Sequence, residues 1–224
     1  STGDEITSIG LPLAPGKVYD SNRYTLFGAL SRLGCELLDM GVVPDEAAAL
    51  EAALRDAARA ADVIITSGGV SVGEADFIRE MMARMGEVSF WKLAIKPGRP
   101  MAFGRIRDAV LFGLPGNPVA VLVSFYQFVQ DALLKLMGVS PLAPAEHFAV
   151  RADFVLRKRP GHVEYLRGRL QRDGAELTVT MAGAQGSGVL RSMSDADCFV
   201  VLPEDCTAVQ PGDMVFIQPF NGLV

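Results

Sequence analysis

Histidine is nearly absent from this chain: His147 and His162 are the two in 224 residues. A catalytic triad or a histidine-rich metal centre has little to draw on. Cysteine is scarce too. Cys35, Cys198 and Cys206 are odd in number, widely spaced and free of any C-x-x-C. Neither a disulfide framework nor a zinc site is indicated, and a reducing, cytoplasmic setting is expected. Basic charge is in deficit, with 21 Lys and Arg against 26 Asp and Glu, a net charge of −5. A nucleic-acid binder needs a basic stripe to neutralise phosphates, so no nucleic-acid partner is expected. A small anion stays open, because a few converging cations hold one against the global charge. No apolar run reads as a membrane span and nothing at the start looks like a signal peptide, so no membrane partner is expected. Ser1-Thr2-Gly3-Asp4-Glu5 reads as the exit of a strand into a loop, as if cut from something longer.

What is present is globular. Half of the residues are hydrophobic, enough for one large core or two smaller ones. Residues 17–138 alternate between helical and strand periods. Asp20-Ser21-Asn22 offers N-cap residues, and Tyr24, Leu26, Phe27, Leu30 and Leu33 follow at helical spacing up to Gly34. The pattern predicts a strand over Cys35–Val43, an alanine-rich helix opening at Pro44-Asp45-Glu46, and a short buried strand over residues 62–66. A helix follows over residues 74–85, then strands over 88–95, 101–106 and 109–114. Asn117-Pro118 caps a long helix to about Met137. Such alternation implies a mainly parallel sheet covered by helices, a three-layer α/β sandwich, with ligand loops at the carboxyl ends of the strands. These loops are 41–46, 67–76 and 113–118. Beyond a Pro-rich linker at 140–145 the helical period vanishes. Short strands between Gly, Pro and Asp turns predict a small all-β barrel. The expected domains are 1–139 and 146–224.

Residues 66–76 read TSGGVSVGEAD and contain G-x-S-x-G. That string is the nucleophile elbow of serine hydrolases. An elbow needs its Ser directly between strand and helix, yet two glycines precede Ser71 and the helix starts after Gly73. Two surface histidines are the plainer reading of His147 and His162, which leaves no base. The same loop also suits an anion. Its amides, with the Ser67 and Ser71 hydroxyls, can form a nest ahead of a helix N-terminus. Phe112-Gly113-Leu114-Pro115-Gly116-Asn117-Pro118 is a second strand-to-helix loop, stiffened by two prolines. Lys92 and Lys96 fall two strand periods apart, on one face if the strand is regular, and Arg99 follows in a Pro-Gly-Arg-Pro turn. Glu5, Asp45 and Asp76 sit at strand ends or helix starts, where they could be caps alone or face one crevice. Carboxylates beside a phosphate loop would suit Mg²⁺.

Taken together, residues 16–22 (GKVYDSN), TSGGVSVGEAD, residues 90–100 (FWKLAIKPGRP) and GLPGNPVA resemble the molybdopterin molybdenumtransferase family, the bacterial MoeA and gephyrin E-domain group. The likeness runs from Ser1 to about Gly138, and the β segment with Gln185-Gly186-Ser187-Gly188 resembles that family's C-terminal barrel more loosely. The resemblance implies a molybdopterin-binding α/β fold and insertion of molybdenum from molybdate into adenylylated molybdopterin, with release of AMP and assistance by Mg²⁺. It implies that Ser67, Gly68, Gly69, Ser71 and the loop Pro115, Gly116, Asn117 and Pro118 hold the pterin and its phosphate. Asp20, Ser21 and Asn22 line the same pocket. Glu5, Asp45 and Asp76 match acidic positions tied to activity, with Asp45 and Asp76 toward Mg²⁺. Lys92 and Lys96 match basic positions facing substrate, and Lys96, Arg99, Arg167 and Ser187 are candidates for molybdate. A homodimer of the full-length protein, and the molybdopterin adenylyltransferase as a partner, are further implications.

Two departures stand out. The family commonly has Lys where Arg99 stands, and often Ala-Asn where this chain has Ala196-Asp197. The rival readings are a non-catalytic pterin-binding scaffold and a serine hydrolase. The hydrolase makes a direct prediction: a fluorophosphonate probe would label Ser71. No labelling is expected, as read by intact-mass spectrometry.

Overall fold

The computed structural model describes residues 1–69 and 81–220. The chain divides into two compact units: Ser1–Leu93 with Gly98–Phe125, and Ala94–Pro97 with Tyr126–Val224.

In the first unit, strands β1 (Ile6–Thr7) and β2 (Val18–Tyr19) pair in parallel and lead to α1 (Ser21–Arg32). The Asp20 side chain caps α1 by accepting from the Arg23 amide. At its far end Gly34, at φ +82°, donates to Ser31 and the Cys35 amide to Leu30. Those two bonds satisfy carbonyls that a helix end otherwise orphans. Residues 35–42 follow without regular structure, where the pattern predicts a strand; a single parallel bridge joins Val43 to Thr2. Among the described residues that bridge is the only ladder contact this segment finds, so its strand propensity has nothing to pair with.

Helix α2 (Ala47–Ala60) is followed by β3 (Val63–Ser67) and, after helical residues 81–85, by β4 (Gly86–Lys92). A two-residue strand β5 (Ile95–Lys96) belongs to the second unit. Strands β6 (Pro100–Ile106) and β7 (Ala109–Leu114) complete a sheet of order β3-β7-β6-β4. The sheet is mixed. Strands β3 and β7 run parallel, while β7–β6 and β6–β4 are antiparallel. The cause is local: only Arg107-Asp108 separates β6 from β7, enough for a hairpin and far too short for a crossover. Leu50, Leu54, Ala57 and Ala58 of α2 recur at the helical period and pack with Ile64, Ile106, Ala109 and Leu111 of the sheet. The next residues of β7, Phe112 and Leu114, alternate to the other face and are equally buried. A strand buried on both sides reads as a continuous apolar run, which VLFGL is.

A helix α3 (Pro118–Leu136) follows, π-helical over Phe125–Val129. By length and composition it could cross a membrane, a longer apolar run than the sequence pattern indicated. Half of it is buried, with Val119, Val121, Val123, Phe125 and Val129 fully so, as in a core helix.

The second unit is a closed barrel. Strands β8 (Phe148–Ala152), β9 (Leu156–Arg157), β10 (Val163–Asp173) and β11 (Glu176–Met181) come first. A short helix α4 (Arg191–Ser194) then leads to β12 (Cys198–Leu202), β13 (Ala208–Val209) and β14 (Met214–Pro219). The ladder runs β11-β8-β14-β12-β10 and returns from β10 to β11, so the edges close on each other. Strand β5 adds to β10 in parallel, and β9 pairs with β13. Val150, Val179, Cys198, Val200 and Ile217 form the interior. Gly168 on β10 has no room for a side chain. A Cβ there would lie 2.7 Å from a Val179 methyl and 2.8 Å from a Val200 methyl.

Burial pushes the Cys198 thiol up to about 12. It should resist iodoacetamide at pH 8.5 until the barrel unfolds, as peptide mass mapping would show. In the first unit, Leu111→Ala should cost ~3 kcal/mol, the transfer loss plus a cavity. Urea titration followed by the single tryptophan, Trp91 on β4, reports that loss.

Candidate functional site

The first unit gathers three loops. The Asn22 side-chain amide donates to Ser67 Oγ at 2.8 Å and to the Gly116 carbonyl at 2.6 Å. Ser67 Oγ in turn donates to the Pro115 carbonyl at 3.4 Å. The Gly68 amide bonds the Leu114 carbonyl and the Ser67 carbonyl accepts from the Thr2 amide. Asn22 and Ser67 are buried, whereas Gly116 and Asn117 are exposed. The start of α1, the glycine loop and the Pro-Gly-Asn-Pro loop are therefore one hydrogen-bonded corner at the carboxyl ends of β3 and β7.

The glycines are required there. Gly68 and Gly69 have φ of +91° and +67°, left-handed values that side chains adopt poorly. A Cβ on Gly68 would also stand 2.3 Å from the Thr2 carbonyl oxygen. Successive turned amides of this kind form an anion-binding concavity. Ser71 and Asp76 lie outside the described residues. Asn117 holds the N-cap position of α3, yet its side chain makes no capping bond. The fixed φ of Pro118 at N1 sets the helix start instead.

Asp20 faces inward. It is 2 % exposed and accepts from the Ser1 hydroxyl at 3.1 Å, the Arg23 amide at 3.1 Å and Arg23 Nε at 3.2 Å. Its role here is to cap α1 and hold Arg23, not to line a pocket. Arg23 also forks onto Asp39, whose carboxyl the Gly41 amide and then Arg23 hold below the usual range. Arg23 is an organiser that no motif pointed to. Its i+3 position after the cap was the available signal. Ser21 is half-buried at the first turn of α1.

Among the carboxylates, Glu5 is exposed and Asp45 is half-buried, with its amide bonded to Asp4 Oδ1 at 3.3 Å. Their carboxylate oxygens are hard donors, which fit Mg²⁺ in donor chemistry. Among the described residues no group of three or more such side chains forms a metal cage. A Mg²⁺ held here would draw on substrate oxygens, the mode that this ion ordinarily uses.

The basic residues separate. Lys92 ends β4 in the first unit, whereas Lys96 lies on β5 in the second. The strand expected through both breaks where the Leu93 amide turns back to the Arg99 carbonyl at 2.7 Å, so they share no strand face. Lys92 and Arg99 are exposed. Lys96 Nζ pairs with Glu164 Oε1 at 3.1 Å, and His162 Nε2 meets the same oxygen at 2.9 Å. His162 is therefore a partly buried partner rather than a surface residue.

In the barrel, Arg167 is fully buried. Its Nε donates to Ser192 Oγ at 3.0 Å and its Nη2 to the carbonyls of Ala184 and Gly186 at 3.3 and 3.1 Å. Its Nη1 is buried with no partner. No carboxylate pairs with it among the described residues, and desolvation lowers the guanidinium to about 10, still charged at neutral pH. Gln185 clamps its main chain from both sides, accepting from the Arg167 amide at 2.8 Å and donating to its carbonyl at 3.0 Å. Ser187 is half-buried in the same Gly-rich loop. Asp197 accepts the Leu170 amide at 2.9 Å, a bond that an asparagine oxygen would make equally well.

A glycine corner at the ends of parallel strands and a closed barrel with a buried arginine define a protein of two-part α/β and β architecture. Residues 1–135 match the family described as a probable molybdopterin binding domain, and residues 149–220 match the MoeA C-terminal region (domain IV). The chain belongs to the molybdopterin molybdenumtransferase family. It is 44 % identical over 225 residues to the molybdopterin molybdenumtransferase of Haemophilus influenzae, covering all of this chain and 56 % of that one. It is 34 % identical over 208 residues to that of Nostoc sp., covering 91 % and 48 %. The crystal structure of the molybdopterin biosynthesis moea protein from Pyrococcus horikosii superimposes with a TM-score of 0.81 at 32 % identity, over 99 % of this chain and 53 % of that one. The chain spans about half the length of the curated relatives it matches.

Asn22→Ala should loosen this corner. The buried Ser67 Oγ and the partly buried Gly116 carbonyl lose their donor, at a cost of ~2 kcal/mol. Hydrogen exchange should quicken at residues 67–69 and 116–117 while the α2 amides keep their protection.

Proposed function

We propose that the intact protein inserts molybdenum from molybdate into adenylylated molybdopterin and releases AMP, giving molybdenum cofactor, and that this chain carries the binding loops for both anions. The observation that carries the reading is Arg167, a buried cation that has no carboxylate partner among the described residues and one nitrogen unspent. A buried charge left unpaired costs stability unless something else collects the benefit, and a tetrahedral dianion offers oxygens to such a fork. Lys96 and the Ser187 hydroxyl add donors in the same unit; Arg99, a further molybdate candidate by resemblance, belongs to the first unit.

The chemistry asked of the chain is electrostatic. Molybdate and the pterin phosphate repel each other in solution, and fixed donors offset that repulsion without reorganising. The glycine loop and the Pro115–Pro118 loop hold the phosphate and pterin, with the Gly69 amide and the Ser71 hydroxyl as donors, while Ser67 and the Gly68 amide, already bonded to Pro115 and Leu114, fix the shape of the corner. Lys92 faces the substrate. Asp45 and Asp76, with Glu5 nearby, would hold Mg²⁺, which as a Lewis acid offsets charge at the phosphoanhydride. A homodimer, docking of the molybdopterin adenylyltransferase that supplies the substrate, and a cytoplasmic location belong to the same proposal.

The test replaces Arg167 with methionine in the intact protein, which keeps apolar volume and removes the charge. Molybdate binding by equilibrium dialysis should weaken at least about tenfold, matching a lost charge-assisted hydrogen bond of ~1.5–3 kcal/mol. AMP release should fall with it while circular dichroism stays unchanged. Wild-type molybdate binding in Arg167→Met would sink the assignment.

A further inference from the structure

Glu164 belongs to none of the motifs, yet it sits under Lys96. The parallel register of β5 and β10 places the two residues side by side. Glu164 is almost fully buried, while the Lys96 side chain is 62 % exposed. A solvent-facing ammonium is thus tied to a carboxylate inside the barrel unit. Lysine has three N–H donors. One is spent on Glu164 Oε1, and two remain toward solvent.

The carboxylate is itself secured. His162 Nε2 meets the same oxygen at 2.9 Å, so the bond assigns the proton to that nitrogen. His162 is held from behind by Lys158, whose buried ammonium donates to the His162 carbonyl at 3.0 Å and to the carbonyls of Arg159 and Glu204 at 3.4 Å each. The order of support runs from Lys158 through His162 and Glu164 to Lys96. Each link restrains the next, and the last one ends in water. A free lysine head samples many rotamers, and fixing it beforehand removes an entropic cost from binding. Sharing Glu164 with His162 also disperses the carboxylate charge that an incoming anion would meet.

We infer that Glu164 is the positioning residue for Lys96, holding its ammonium with two donors presented to the oxyanion. This rests on the reading above that Lys96 engages molybdate, and the experiment separates the two. The first arm uses the intact protein without molybdate. Side-chain NMR relaxation at the Lys96 ε-methylene should show restraint beyond that of other exposed lysines. Glu164→Ala should release it and Glu164→Gln, which keeps an acceptor in place, should largely retain it. A Lys96 already as mobile as other exposed lysines in the wild type overturns the inference, whatever molybdate does.

The second arm measures molybdate binding. Glu164→Ala should weaken it about tenfold and Glu164→Gln less than about threefold. In a Lys96→Gln background the Glu164→Ala effect should vanish, because it acts only through Lys96. An equal loss in that background would mean a merely structural role, and tighter binding in Glu164→Ala would mean a competitor; either overturns the inference. If Lys96→Gln alone leaves molybdate binding unchanged while the relaxation arm succeeds, the molybdate role of Lys96 fails and the positioning of Lys96 by Glu164 stands.

Discussion

The first unit turns on one side-chain amide. Asn22 Nδ2 donates at once to Ser67 and Gly116, and so joins three segments that are 45 and 94 residues distant along the chain. Everything around it follows from that closeness. Gly68 must lack a side chain because the Thr2 carbonyl passes 2.3 Å from where a Cβ would stand. Gly116 approaches Gly68 closely enough that a Cβ there would lie 3.8 Å from the Gly68 Cα. Asp20 must be buried and bonded, because it starts the helix that carries Asn22. The exposed Gly116-Asn117 pair is what this corner leaves toward solvent once those demands are met.

The barrel is organised around the opposite problem, a charge with too few partners. Arg167 sits on β10 next to Gly168, where a side chain would meet the Val179 and Val200 methyls, so the strand is closely packed beside the guanidinium's backbone. Gln185 holds its main chain and Ser192 its Nε, while carbonyls of the Gly-rich loop take one terminal nitrogen. Stability alone would favour an apolar residue in such a place. Departure from local rules at a site that neighbours then over-determine is what a binding function leaves behind.

Much of the fold was legible. The cap of α1, the periods of α1, α2 and α3, the strands β3, β6 and β7, and the all-β character of the second unit follow from hydrophobic patterning and turn residues. Three features did not. Cys35–Val43 has strand composition but almost no ladder partner among the described residues. The run through Lys92 and Lys96 looks like one strand and is two, because a main-chain bond from Leu93 to Arg99 folds it back. The parallel sheet inferred from alternating elements is mixed, since the two residues between β6 and β7 permit only a hairpin.

By itself the sequence determined which residues form most of the helices and strands and which motifs carry the family. Those depend on period, capping and turn chemistry, all local in range. The sequence pattern predicts a break at 140–145, whereas the compact units divide at Phe125–Tyr126 and the second also takes Ala94–Pro97. Only the tertiary structure decided what each charged side chain does. Asp20 became a buried cap, Lys96 the partner of a carboxylate 68 residues away, His162 a support for that carboxylate, and Arg167 a buried cation without a counter-charge among the described residues. Such roles come from burial and from pairing across long sequence separations, and neither leaves a periodic trace in the chain.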